Sequence, residues 1–304
     1  MAWSGQFSRM TSRTGRTRES IGDHRPPVQL SRLWLWLSVT AAVLGAAGSV
    51  AGLSDPGSIY HQETVALADA STAQDIVNLF LVAPLTALLG VLASRGSLRA
   101  YLCWLGFVAF TVYNYAIYTF SIHFGPLFLV WVAVLGLSLF AMIGGLSTLD
   151  TASVEEQFRG RGERLPAWFL IVIAALFAVL WLSEIVPELL AGNPSSSATE
   201  WGVPTNPVHV LDLAFFLPAA LASGVLLLLR HPVGYATVPG QLSWVVLTCL
   251  PILVAPPVAN SRGHEPGWTV LAPVGVLFVI ALLVLVLLLR SARASPAAGA
   301  VEAR

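Results

Sequence analysis

The chain has 304 residues, 56% of them hydrophobic and 11% charged, with a mean hydropathy of +0.76. That composition excludes an ordinary water-soluble domain, and a formal net charge of zero leaves no basic field to attract nucleic acid. Charges fall in short stretches between long apolar runs, the pattern of loops between lipid-spanning segments.

The first 32 residues form an arginine-rich leader with few large apolar side chains, expected to be disordered and cytoplasmic. A helix needs roughly 20 apolar residues to cross a hydrocarbon core about 30 Å thick, with its backbone hydrogen-bonded internally. Eight segments qualify: 33–52, 76–93, 100–121, 126–146, 167–186, 207–229, 241–258 and 268–289. The first is longer than a secretory h-region and follows a long leader, so it reads as an uncleaved anchor. Residues 147–166 form a cytoplasmic loop, and 290–304 a disordered cytoplasmic tail.

Arginine placement tests this threading independently, because cytoplasmic loops are enriched in basic residues. With both termini inside, fifteen arginines lie on the cytoplasmic side and Arg262 alone lies outside. All the basic residues are arginine, a bias that goes with high-GC bacterial coding. The expected localisation is therefore a bacterial plasma membrane, with multiple passes and with the lipid bilayer as the first partner. Protein partners are not legible. Cys103 and Cys249 form no CxxC motif and have no histidine nearby in sequence, so they read as free buried thiols.

Sliding the chain against itself by 134 residues lays the first three spans on the fifth, sixth and seventh. Between Asn78 and Tyr101 six of 24 positions are then identical, including Pro84 with Pro218, Gly90 with Gly224 and Tyr101 with Tyr235. Each proline removes a backbone N–H and crowds the carbonyl four residues earlier, so both should kink their helices at the same depth. The fold class expected is an all-α integral membrane protein of eight transmembrane helices, as a parallel 4+4 internal repeat. The first four-helix repeat is 33–146 and the second is 167–289.

Polar groups inside spans point to function, because lipid exposure costs several kcal/mol unless they are partnered or hydrated. Asp75 with Asn78, and His209 with Asp212, are spaced i, i+3 at matching repeat positions. Thr111, Asn114, Tyr118 and Ser121 form a helical stripe in the third span. Glu184 and Glu188 lie where the fifth span leaves the membrane, and Tyr60, His61 and Glu63 lie in the first outer loop. Asp75, Asn78, Asn114, Tyr118, His209 and Asp212 are the expected lining of an outward-facing polar cavity beside the Pro84 and Pro218 kinks. Blander roles are open to each: acids meeting water at helix ends, aromatic belts at the interface, and polar residues gluing helices together.

Histidines are isolated, with no HExxH or comparable pair, and neither GxSxG nor a P-loop occurs. No catalytic residue, metal site or cofactor is assigned. A transporter or binding protein for a small solute or ion is the leading reading. The alternatives are an intramembrane metal-assisted enzyme acting on lipid or isoprenoid substrates, and a non-catalytic subunit or scaffold of a membrane complex. The stretch YNYAIYTFSIHFGPLFLVWVAVLGLSLFAMI within 96–143, with NPVHVLDLAFFLP from Asn206, resembles an uncharacterised family of polytopic bacterial integral membrane proteins. That resemblance implies a membrane location and carries no known activity and no residue role.

Overall fold

A computed structural model describes residues 32–160 and 162–292. The expected disorder of the leader and tail therefore lies outside the described residues, apart from the few at their inner edges, which continue helices. Among the described residues the protein is all-helical. Eight helices are long and apolar enough to cross a membrane: Arg32–Ser54, Val65–Ser94, Leu98–Ser121, Phe128–Ser147, Arg164–Ala191, Pro207–Leu228, Pro232–Ser261 and Trp268–Ser291. Three short helices, Pro56–Ile59, Thr151–Phe158 and Ser196–Trp201, sit in the connections.

Two spans are longer than their apolar runs. The second begins at Val65, eleven residues before the expected start, because Thr64 caps it by accepting from the Leu67 N–H and the polar stretch Asp69 to Asp75 is helical. The seventh begins at Pro232, with His231 capping the Val233 N–H, and runs through Pro239, Pro251, Pro256 and Pro257 as one helix. Neighbouring helices can re-satisfy the groups such prolines free, which a reading by proline punctuation alone misses.

The third span is the most enclosed, with 67% of its apolar window buried, and the seventh follows at 50%. These two cross at the centre, where a Cβ on Gly106 would strike the Gly240 carbonyl oxygen and approach the Ser243 side chain to 2.6 Å. Glycine at this point lets the two backbones meet.

The second and sixth spans each contain one π-helical turn, Asn78–Val82 and Asp212–Phe216, lying 134 residues apart. The Ala83 N–H reaches the Asn78 carbonyl and the Leu217 N–H reaches the Asp212 carbonyl. Pro84 and Pro218 come next in each case. A proline in a regular α-helix would clash with the carbonyl of Phe80 or Ala214, and the widened turn relieves that clash.

The spans alternate in direction, and side-chain contacts define the two ends of the bundle. At the arginine-bearing end Arg99 donates to the Ala292 carbonyl at 2.7 Å, and the Tyr235 hydroxyl donates to Glu163 Oε1 at 2.5 Å. At the opposite end Glu63 accepts from the His123 backbone N–H and lies 3.0 Å from its ring Nδ1. There Asp69, buried, also accepts from Arg262 Nη1 at 3.0 Å and lies 2.7 Å from His264 Nδ1. Arg262, the one arginine at that end among the described residues, is thus held by an acid of the second span.

Candidate functional site: a cavity between the second, third and fifth to eighth spans

The two π-turns place polar side chains at comparable depth in very different surroundings. Asp75 in the second span is enclosed. The Tyr60 hydroxyl donates to its Oδ2 at 2.6 Å, and the Tyr118 hydroxyl lies 3.1 Å from Oδ1 and 3.0 Å from the Ser71 carbonyl. Burial first, and the Asp75 charge second, push the Tyr60 hydroxyl far above the usual phenol range, so it remains a donor. Gly52 of the first span closes the other side, since a Cβ there would collide with Asp75 Oδ2 and the Tyr60 hydroxyl.

Asn78, one turn along, accepts from Gln74 Nε2 at 2.9 Å and from Asn114 Nδ2 at 3.2 Å. It borders a void of about 20 Å³ walled by the first four spans, on the scale of a single water.

Asp212, at the matching position of the sixth span, borders open space. A cavity of about 430 Å³ lies between the second and third spans on one side and the fifth to eighth on the other. That is within the range of small-molecule binding sites. Its polar wall is built by Gln74, Asn114, Tyr118, Glu184, His209 and Asp212, and the rest is largely apolar and aromatic. Ser197 and Trp201 from the short helix Ser196–Trp201 complete it at the end away from the arginine-bearing loops.

The acid and histidine set is ordered by an indole. Trp181 Nε1 donates to Asp212 Oδ2 at 2.9 Å, and its ring packs against the His209 ring with centroids 4.7 Å apart. His209 Nε2 lies 3.9 Å from Glu184 Oε2. Trp244, stacked on Phe216 at 4.7 Å and set edge-on to Tyr113, supports the cavity wall behind them.

Of the six residues expected to line a cavity, Asn114, Tyr118, His209 and Asp212 do so here. Asp75 and Asn78 do not, and each reaches the wall only through a bonded neighbour: Tyr118 for Asp75, Gln74 and Asn114 for Asn78. Trp181, Trp244 and Gln74 join the wall without a distinguishing sequence signal: Trp181 reads as an ordinary interfacial aromatic, and Gln74 precedes the apolar run that marks the second span. Tyr60, His61 and Glu63 stay outside the cavity, and Glu188 caps the Ser196 N–H at 3.0 Å. Cys249 lies in the wall, whereas Cys103 is buried in the core. Among the described residues no three His, Cys, Asp or Glu side chains converge as metal ligands would.

The fold and site together define a multi-pass helical membrane protein with an internal cavity. No family model, curated protein or solved structure matches the chain.

Proposed function

We propose that this is a plasma-membrane transporter or binding protein for a small solute, with both termini in the cytoplasm and its cavity open to the outside. The single observation that carries the reading is the 430 Å³ cavity, whose wall combines apolar bulk with a convergent polar set from several spans. Arginine asymmetry supports the orientation, because the cavity lies at the end where Arg262 is the one arginine among the described residues. Two matched π-turns, and the meeting of Gly106 with Gly240 at the same 134-residue offset, support a parallel repeat of four and four spans about an axis along the membrane normal. The bacterial family resemblance supports the membrane location alone.

The metal-assisted enzyme has no converged ligand set among the described residues to favour it, and a scaffold role needs no such cavity.

Orientation is tested with an impermeant thiol reagent on intact cells. A cysteine at exposed Glu200 should label from outside, and one at exposed Glu156 should label only after lysis. Labelling of the Glu156 site in intact cells would refute the threading. Function is tested by solute binding and uptake in proteoliposomes. Thr248→Trp, which fills the wall of the cavity, should abolish both, and retention of either would refute the site.

A further inference from the structure

The cavity has a charge character that its apolar bulk conceals. Among the described residues, Glu184 and Asp212 are its only carboxylates and no arginine lines it. Arg262 is committed to Asp69. Asp212 is buried, its Oδ2 held by Trp181, while Oδ1 makes no well-formed hydrogen bond and has the Tyr113 side chain as its neighbour. Glu184 Oε1 is likewise shielded and unbonded, and its other oxygen sits at the outer limit of an ion pair with His209. Trp244 contributes a buried indole N–H without a partner.

Asp212 has only neutral partners and Glu184 has only His209, at 3.9 Å, so the carboxylates are weakly compensated in a largely apolar wall that lacks a permanent positive charge. An anion would meet two acids and no guanidinium. A purely apolar occupant would leave the acids unmatched. A bare metal ion would find too few converged ligands. An organic cation with a bulky apolar body would match both features, its charge drawn to Glu184 and Asp212 and its body to apolar lining such as Phe177, Trp201 and Ile252. Aromatic faces add cation–π attraction, which strengthens where the ring is desolvated.

We infer that the cavity selects amphipathic organic cations, such as hydrophobic ammonium or phosphonium compounds, through Glu184 and Asp212. The inference rests on the cavity being a solute site and adds the sign of the charge it accepts.

Three probes of similar shape separate the two claims: tetraphenylphosphonium, tetraphenylborate and uncharged triphenylphosphine oxide. Each is titrated calorimetrically into the full chain in nanodiscs, with the Thr248→Trp variant as reference for partitioning into lipid. The expected result is saturable binding of the phosphonium above that reference, at least tenfold tighter than either other probe. Asp212→Asn and Glu184→Gln should each weaken it tenfold or more. If Asp212→Asn fails to fold, Glu184→Gln and the borate comparison still decide the matter. Binding of the oxide or borate as tight as the phosphonium overturns the cation selectivity and leaves the solute site standing. So does a phosphonium affinity unchanged in every folded acid variant. Binding of no probe beyond the cavity-filled reference overturns both claims.

Discussion

The two halves of the bundle treat a buried acid in opposite ways. In the first half Asp75 is sealed by Tyr60, Tyr118 and the bare backbone of Gly52, and the void beside its neighbour Asn78 is about 20 Å³. In the second half Asp212 borders about 430 Å³ with one firm hydrogen bond, from Trp181. The difference begins in side-chain volume on one helix. The first span carries Gly45, Gly48 and Gly52 on its inner face, and these seat the Tyr115 hydroxyl, Val130 and the Asp75 site. At the 134-residue offset the fifth span has Val179, Leu182 and Val186. Small residues let helices close up in lipid, where the gain is van der Waals contact, whereas the three bulky residues lie on an exposed face of the fifth span and seat no neighbour there. The first and fourth spans accordingly pack along their length, whereas the fifth and eighth barely meet. The first four spans pack into a solid wall, and the chamber opens between two of them, the second and third, and the fifth to eighth.

The largest effect should come from filling the sealed half. Gly52→Leu forces a side chain into Asp75 and Tyr60, and is expected to cost about 3 kcal/mol or more, read as a lower unfolding midpoint in detergent. A matching Val186→Leu on the exposed face of the fifth span should cost less than about 0.5 kcal/mol. Equal losses would erase the distinction between the halves.

Next in size is Tyr118→Phe, which removes a buried donor shared by Asp75 and the Ser71 carbonyl. A loss of about 1–3 kcal/mol in the same melting assay is expected. Trp181→Phe removes the corresponding donor to Asp212. Because that site borders a cavity, its stability loss should stay near 1 kcal/mol or less, with weakened phosphonium binding as the larger readout. A Trp181→Phe variant that melts earlier than Tyr118→Phe would reverse the assignment of wall and chamber.

The smallest effect concerns the arginine-bearing end. Burial raises the Glu163 carboxyl, but hydrogen bonds from Tyr235 and the Gly160 N–H, with the Arg230 and Arg159 charges, outweigh it and hold the group below the usual carboxylate range. A carboxyl lowered on folding stabilises at neutral pH, and that contribution disappears as pH falls through its folded value. Glu163→Gln should therefore flatten the acid limb of the melting midpoint below about pH 5 and leave solute binding unchanged. An unaltered acid limb would remove Glu163 from the set of anchors that tie the fifth span to the seventh.

How far the sequence could be read varied with how local each feature is. The eight spans were legible because hydropathy and length are properties of a contiguous stretch. Their ends were less so at Val65 and Pro232, where polar and proline-rich turns continue helices whose backbone partners lie within the bundle. Polar pairs at Asp75 with Asn78 and at His209 with Asp212 could be singled out from spacing alone. Nothing in that spacing tells which pair faces a chamber, since Gly52, Tyr60 and Trp181 come from other elements. Trp181 in particular carries no mark in sequence that sets it apart from any aromatic near the end of a span.

The sequence by itself determined that the chain is helical and suited to lipid in eight passes. Each pass must bury its own backbone hydrogen bonds and present some 20 apolar residues, and both requirements are met residue by residue. Only the tertiary structure decided which buried acid is sealed and which borders a chamber. The volume left beside a side chain depends on the glycines, valines and indoles that distant helices bring to it.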